Sequence, residues 1–207
     1  MDSAALLYYY AKKGYQVYPL FVRQGLIWEK TELYWLKRFV SFLKKEFSSD
    51  IAQSVFSMNF PLKELYGEHW SVTGKNGPQY HDPDETVFLP GRNIVLLTKA
   101  AIYGSLNEIH EIALGPLKGN PFPDSRNTFF RSMEKSLSSG LDWDLKIKTP
   151  FLTWSKEQVI SKHSQLPWEL TFSCLRPKDN KHCGTCNKCR ERDEVLSAVM
   201  PGSVAHT

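Results

Sequence analysis

The 207-residue chain predicts an α/β architecture built on parallel strands. Three observations carry that expectation. Short apolar runs alternate with helix-like segments, the connections between most of them are brief, and the first strand-like run lacks polar alternation, as a strand covered on both faces does. A knot of cysteines near the C-terminus adds a small metal-braced module. The expected organisation is an α/β unit over residues 1–165, followed by a cysteine module and terminal helix over 166–207.

Each element has its own signal. Ser3 is placed to cap a helix over residues 4–13, with Ala4, Leu7, Tyr8 and Ala11 on one face and Gly14 to end it. Residues 15–22 read as a buried strand in which Pro19 must sit where no ladder donor is needed. An amphipathic helix follows over 29–47, burying Leu33, Leu36, Phe39, Val40 and Leu43 and exposing Glu32, Lys37, Arg38, Lys44 and Lys45. A short strand is expected at 54–59. Residues 61–91 are rich in Gly and Pro and lack periodicity, the kind of long irregular segment that often carries function. Further on come a helix over 94–103, a strand near 111–114, a helix over 129–138 and a short strand at 146–149. Ser155 and Gln158 form a capping box opening a helix that ends before Pro167.

Composition narrows the function. At 42% hydrophobic and 13% aromatic the chain can bury a full core. It has no apolar run long enough for a membrane span and no leader signal, so the cytosol is the expected compartment. The net charge of +4 is spread among carboxylates, which makes direct nucleic-acid binding a weak expectation.

The chain has 4 cysteines, Cys174, Cys183, Cys186 and Cys189, all within one short window. The spacing C-x8-C-x2-C-x2-C aims sulfurs at a centre about 2.3 Å away, and four thiolates close a tetrahedral shell. A closed shell leaves no position for water or substrate, so the favoured ion is a structural Zn2+. An iron–sulfur cluster or two disulfides are the competing readings. The histidines at 69, 81, 110, 163 and 206 are dispersed, and His182 beside Cys183 reads as a support for the ligands rather than a fifth one.

Several segments then resemble one family. Met1-Asp2-Ser3-Ala4 resembles the tail of the Ser-Gly-Gly-x-Asp-Ser loop of the ATP-pyrophosphatases, in which backbone N–H groups and a helix start close on phosphate oxygens. Leu89-Pro90-Gly91-Arg92-Asn93, Phe122-Pro123-Asp124-Ser125-Arg126, the stretch around Lys156 and the run from Trp168 to Arg192 are similar to segments of the 7-cyano-7-deazaguanine synthases within that superfamily. The resemblance implies an adenine-nucleotide alpha-hydrolase-like fold and an enzyme of queuosine or archaeosine biosynthesis, in which 7-carboxy-7-deazaguanine, ammonia and ATP give the nitrile with the help of Mg2+. It implies catalytic and nucleotide-binding roles for Asp2 and Ser3, nucleotide contacts for Arg92 and Asn93, and substrate contacts for Asp124 and Arg126, with a homodimer as the candidate assembly.

Two departures stand out. A first strand and the Ser-Gly-Gly of the loop would precede Met1, and a start placed downstream of the natural one is the expected reason. Phe21-Val22-Arg23-Gln24-Gly25 stands where many relatives carry Asp-Tyr-Gly-Gln and a basic residue, which leaves the acid substrate open. Two alternatives follow. One is a non-catalytic or differently specific relative. The other is a zinc-knuckle nucleic-acid binder, favoured by Arg176, Lys178, Lys181, Lys188, Arg190 and Arg192 around the cysteines.

Overall fold

A computed structural model describes residues 1–200; the last residues of the expected cysteine module, and His206, lie outside the described residues. The order is α1 (Asp2–Lys12), β1 (Leu20–Arg23), α2 (Glu29–Glu46), β2 (Phe56–Asn59), α3 (Lys63–Tyr66), α4 (Trp70–Thr73), α5 (Arg92–Leu106), β3 (Glu111–Ala113), α6 (Asn127–Leu141), β4 (Lys146–Lys148), α7 (Lys156–Lys162) and α8 (Asn187–Val199). Single 3-10 turns lie at Asp84–Val87, Pro123–Ser125 and Trp168–Leu170.

The strands are parallel, but they form two pairs where one sheet was expected. β1 pairs with β2, Leu20 opposite Phe56, and β3 pairs with β4, Glu111 opposite Lys146. Among the described residues no strand hydrogen-bonds one pair to the other; α5 spans them. Tyr103 of α5 packs at a tilt against Phe56, ring centres 4.9 Å apart, while Leu97 and Ala101 share a core with Ile112, Phe130 and Leu145.

The strand expected at 15–22 is shorter than predicted, for a reason Pro19 supplies. Val17 makes an isolated parallel bridge to Ala52, Pro19 gives only its carbonyl to Phe56 N, and the regular ladder starts at Leu20. Tyr15 is left exposed. Ser3 does not cap α1. The helix starts at Asp2, Met1 holds the cap position without a side-chain bond, and Ser3 is an exposed member of the first turn. The buried face of α1 is Ala5, Leu6, Tyr8 and Ala11, with Ala4 and Leu7 half-buried, because this helix is packed from two sides. In α2, Leu33 and Leu36 are half-buried, and Phe39, Val40 and Leu43 carry the core contact. The box of Ser155 and Gln158 forms as expected.

The largest core joins α1 and α2 to Phe151, Val159 and Ile160, and it also takes Leu166, Trp168, Val195 and Leu196 from the C-terminal part. A second cluster surrounds the cysteines with Leu26, Trp28, Leu89 and Leu175. The cysteine turn is thus anchored on both sides: by α8 in the first core and by Trp28 stacked on Trp70 at 5.6 Å in the second.

Candidate functional site

Parallel strands direct their carboxyl ends toward one side, and ligands of α/β proteins bind beyond those ends. β3 leads directly into Gly115-Pro116-Leu117-Lys118, and this loop meets the start of α1. The approach is close: a Cβ on Gly115 would lie 3.2 Å from the carbonyl oxygen of Asp2. Between them opens a cavity of about 150 Å³, lined by Asp2, Asp84, the 115–122 loop, Lys156, Lys188 and Glu191.

Its charges form a chain. Lys156 Nζ lies 2.5 Å from Glu191 Oε1 and 3.8 Å from Asp2 Oδ2; Lys188 Nζ lies 2.9 Å from Glu191 Oε2 and 3.0 Å from Asp84 Oδ1. The Lys156 side chain is only 15% exposed. Burial opposes its charge, yet the Asp2 and Glu191 carboxylates together hold it above the ordinary lysine value. Burial likewise opposes the charge of Glu191, but Lys156 and Lys188 overcome it and bring the carboxyl down to about 2. Lys156 is therefore charged at neutral pH, and Glu191 bridges it to Lys188.

The predicted residues do not all meet there. Asp2 lines the cavity, whereas Ser3 faces solvent on the same turn. Arg92 and Asn93 open α5, where Asp124 receives Asn93 N at 3.1 Å and its carbonyl accepts from Asn93 Nδ2 at 2.9 Å. Asp124 is thus a cap as well as a candidate ligand; burial pushes its carboxyl up against the pull of Asn93 N and Arg92. Arg92 reaches toward Glu32 at 4.0 Å, and Arg126 is exposed at the head of α6. At the carboxyl end of β1, Gln24 is 1% exposed and both polar atoms of its side chain lack a partner.

Lys118, Asp84 and Glu191 were not predicted, and Lys188 was taken only as one of several basic residues near the cysteines. A signal was available for two of them. Lys188 and Glu191 stand three residues apart on a helix, the spacing that puts side chains on one face.

The four sulfurs lie within 4.8 Å of one another, with Cys186 to Cys189 at 3.5 Å and Cys183 to Cys189 at 3.8 Å. Four ligands at about 2.3 Å from one tetrahedral ion stand about 3.8 Å apart, so the cage fits a single ion. An iron–sulfur cluster would hold its thiolates farther apart, and the four cysteines are free of disulfides. Backbone N–H groups of Arg176 and Cys183 point to Cys174 Sγ at 3.4 and 3.2 Å, and Thr185 N points to Cys183 Sγ at 3.4 Å. Such donors stabilise thiolates. Sulfur–sulfur hydrogen bonds push the Cys186 thiol down and the Cys174 thiol up. His182 is not a ligand of the cage. Its Nε2 accepts from Ser173 N at 3.4 Å, and burial lowers it to about 4, which keeps the ring neutral.

The basic residues around the knuckle separate on folding. Arg192 is buried, giving Nη1 to Thr171 Oγ1 and Nη2 to Trp168 O, each at 2.7 Å. Lys188 turns into the cavity, leaving Arg176, Lys178 and Lys181 around a second, open hollow.

With this geometry in view, comparison with known proteins is informative. The family model described as "Queuosine biosynthesis protein QueC" matches residues 1–200. The chain belongs to this family. A "7-cyano-7-deazaguanine synthase 1" of Desulfitobacterium hafniense (strain Y51) is 28% identical over 95% of this chain and 87% of its own length. The 7-cyano-7-deazaguanine synthase of Aquifex aeolicus (strain VF5) is 28% identical over 97% of this chain and 94% of that protein. That of Caldicellulosiruptor bescii is also 28% identical, over 96% of this chain and 89% of the relative. Membership in the QueC family places this chain among small-molecule enzymes, and no helix among its described residues is long and apolar enough to cross a membrane.

Proposed function

We propose that the chain acts as a 7-cyano-7-deazaguanine synthase, making the nitrile from 7-carboxy-7-deazaguanine, ammonia and ATP in the cytoplasm, on an ATP-pyrophosphatase-like fold. The observation that carries the proposal is the cavity between the start of α1 and the loop after β3, where Lys156, Lys188 and Lys118 surround a helix beginning. A helix start presents free N–H donors and positive potential, and lysines add charge, so the place suits the leaving end of a triphosphate.

The reaction needs such a site because a carboxylate is a poor electrophile. Its oxygen attacks the α-phosphorus of ATP and pyrophosphate departs. Ammonia then displaces AMP from the acyl carbon, giving the amide and releasing a proton. A second ATP takes the amide oxygen in the same way. Loss of that oxygen with AMP, and of the nitrogen's protons, leaves the nitrile. Lys156 neutralises charge that builds on the departing pyrophosphate, and the close seating of Gly115 on Asp2 fixes the helix start against which that pyrophosphate rests. Mg2+ would supply charge screening when bound, and Asp2 and Asp84, two of the three carboxylates lining the cavity, are the ones that would hold it. Asp2 and Ser3 open the nucleotide-binding helix, and Arg92 and Asn93, at the start of α5 and outside the cavity lining, are taken as further nucleotide contacts. Asp124 and the exposed Arg126 offer a carboxylate and a guanidinium to the deazapurine acid, and the unpaired carboxamide of Gln24 suits a base edge with both donors and acceptors. Zn2+ fits the cysteine cage as a structural ion, and the α/β unit over 1–165 with the module after it is the working division.

The test is pyrophosphate release by the natural polypeptide. Sustained release is expected only when 7-carboxy-7-deazaguanine and ammonia are both present, the acid alone giving no more than about one pyrophosphate per chain, and Lys156→Met should lower turnover by about 100-fold, the loss typical of one electrostatic donor. Turnover indifferent to the acid or to Lys156 rejects the assignment.

A further inference from the structure

We propose that Lys188 is a second phosphate-binding cation of this cavity, oriented by the metal-bound turn that carries it, so that metal site and anion site are energetically coupled. The inference rests on the reading of the cavity as a phosphate seat, and it adds a linkage between Lys188 and the metal site which that reading does not contain.

The coupling follows from the position of the side chain. Cys186 is the cap of α8, and its carbonyl accepts from Cys189 N at 3.0 Å and Arg190 N at 3.1 Å. Lys188 lies between these two cage members. When two residues three apart bind one ion, both the rotation and the height of that helical turn are fixed. The direction of Lys188 is fixed with them. Asn187 reinforces this from a fully buried position: its Nδ2 points to Asp82 O at 3.5 Å and Pro83 O at 3.4 Å, tying the same turn to the loop that carries Asp84.

Phosphate as the ligand follows from how Glu191 is held. Its Oε1 meets Lys156 Nζ at 2.5 Å and its Oε2 meets Lys188 Nζ at 2.9 Å. One two-oxygen anion thus spans both ammoniums, and two oxygens of a phosphate group have a similar separation. An ammonium has three N–H donors. Lys188 uses two, on Glu191 and Asp84, so it keeps one for a ligand. Lys156 comes from α7, Lys188 from α8 and Asp2 from α1, so an anion held here draws three elements together around the cavity.

The experiment uses the zinc-loaded full chain with inorganic pyrophosphate as probe, read by calorimetry and by hydrogen exchange across residues 183–192. Lys188→Gln is expected to weaken pyrophosphate binding about tenfold, the share of one charge-assisted contact, and Lys188→Arg to recover most of it. In the parent chain, pyrophosphate should slow exchange across 183–192 at least fivefold, at the lower end of typical coupling between sites. In Lys188→Gln that slowing should vanish while zinc content stays at one ion per chain. If pyrophosphate binds equally well to parent and Lys188→Gln, or leaves exchange across 183–192 unchanged in the parent, the coupling is refuted. If the parent chain binds no pyrophosphate at all, the phosphate seat itself is refuted, which is a separate result. Loss of zinc from the Lys188→Gln protein would show a folding role in place of a binding one, and the Lys188→Arg result then decides: full binding without a charge-dependent salt response overturns the proposal.

Discussion

Removing the ion from the cysteine cage is expected to open the knuckle while the core of α5, α6, β3 and β4 stays folded. The magnitude follows from what the cage holds in place. Leu26, Trp28, Leu89 and Leu175 are each under 9% exposed and meet around three of the four cysteines. At about 1.5–3 kcal/mol for each fully buried side chain, about 6–12 kcal/mol of burial depends on the cysteine turn keeping its shape. A structural zinc contributes about 10–16 kcal/mol in small sites, the same order, against a net domain stability of about 5–15 kcal/mol. The turn has no regular ladder of its own beyond the bridge between Lys178 and Lys181, so nothing local replaces the ion. Chelation should shift tryptophan emission to the red as Trp28 and Trp70 separate, and the shift should shrink in Trp28→Phe. Hydrogen exchange across residues 172–190 should accelerate by orders of magnitude, while peptides of the third cluster, around Leu97, Phe130 and Leu145, stay protected. Slow exchange across 172–190 in metal-free protein would refute the bracing role. Simultaneous opening of every segment would refute its confinement to the knuckle.

Two further outcomes follow from packing and charge. A Cβ at position 104 would lie 2.8 Å from the carbonyl oxygen of Ile109, so Gly104→Ala should destabilise by about 1–3 kcal/mol despite alanine's better helix propensity; a melting temperature unchanged or raised would contradict this. Burial holds the Asp124 carboxyl above its ordinary value, so its contribution to stability is present below the unfolded pKa and is lost as pH rises through the folded one. Asp124→Asn should therefore gain on the parent chain as pH is raised from about 4 to 7, which urea titrations at several pH values will read, and a gap that narrows instead contradicts the sign.

What the sequence made legible was whatever is set locally. The helix over 29–47 was found nearly to the residue because its charged and apolar positions keep a helical period, and the box of Ser155 and Gln158 was found because it is a two-residue chemical motif. The cysteine cage was legible from spacing alone. The cavity was not. Its cations come from positions 118, 156 and 188, brought together only by packing, and two of them are bridged by Glu191, which the sequence reading did not single out. Ser3 shows the opposite error, since a serine before an apolar run is a good capping signal, yet here the helix begins two residues earlier, at Asp2, and Ser3 is exposed. Asp124 was read as a substrate contact, and only the fold reveals that it also caps a helix 31 positions earlier in the chain.

The bond from the Met1 nitrogen to Phe172 O joins positions 171 apart, and the acid that steadies Lys156 sits later still, at Glu191. During synthesis, therefore, a growing chain has no working centre until almost the last helix has left the ribosome. A stop codon that removes α8 should yield a chain without the acid that steadies Lys156, and its cavity should fail to assemble.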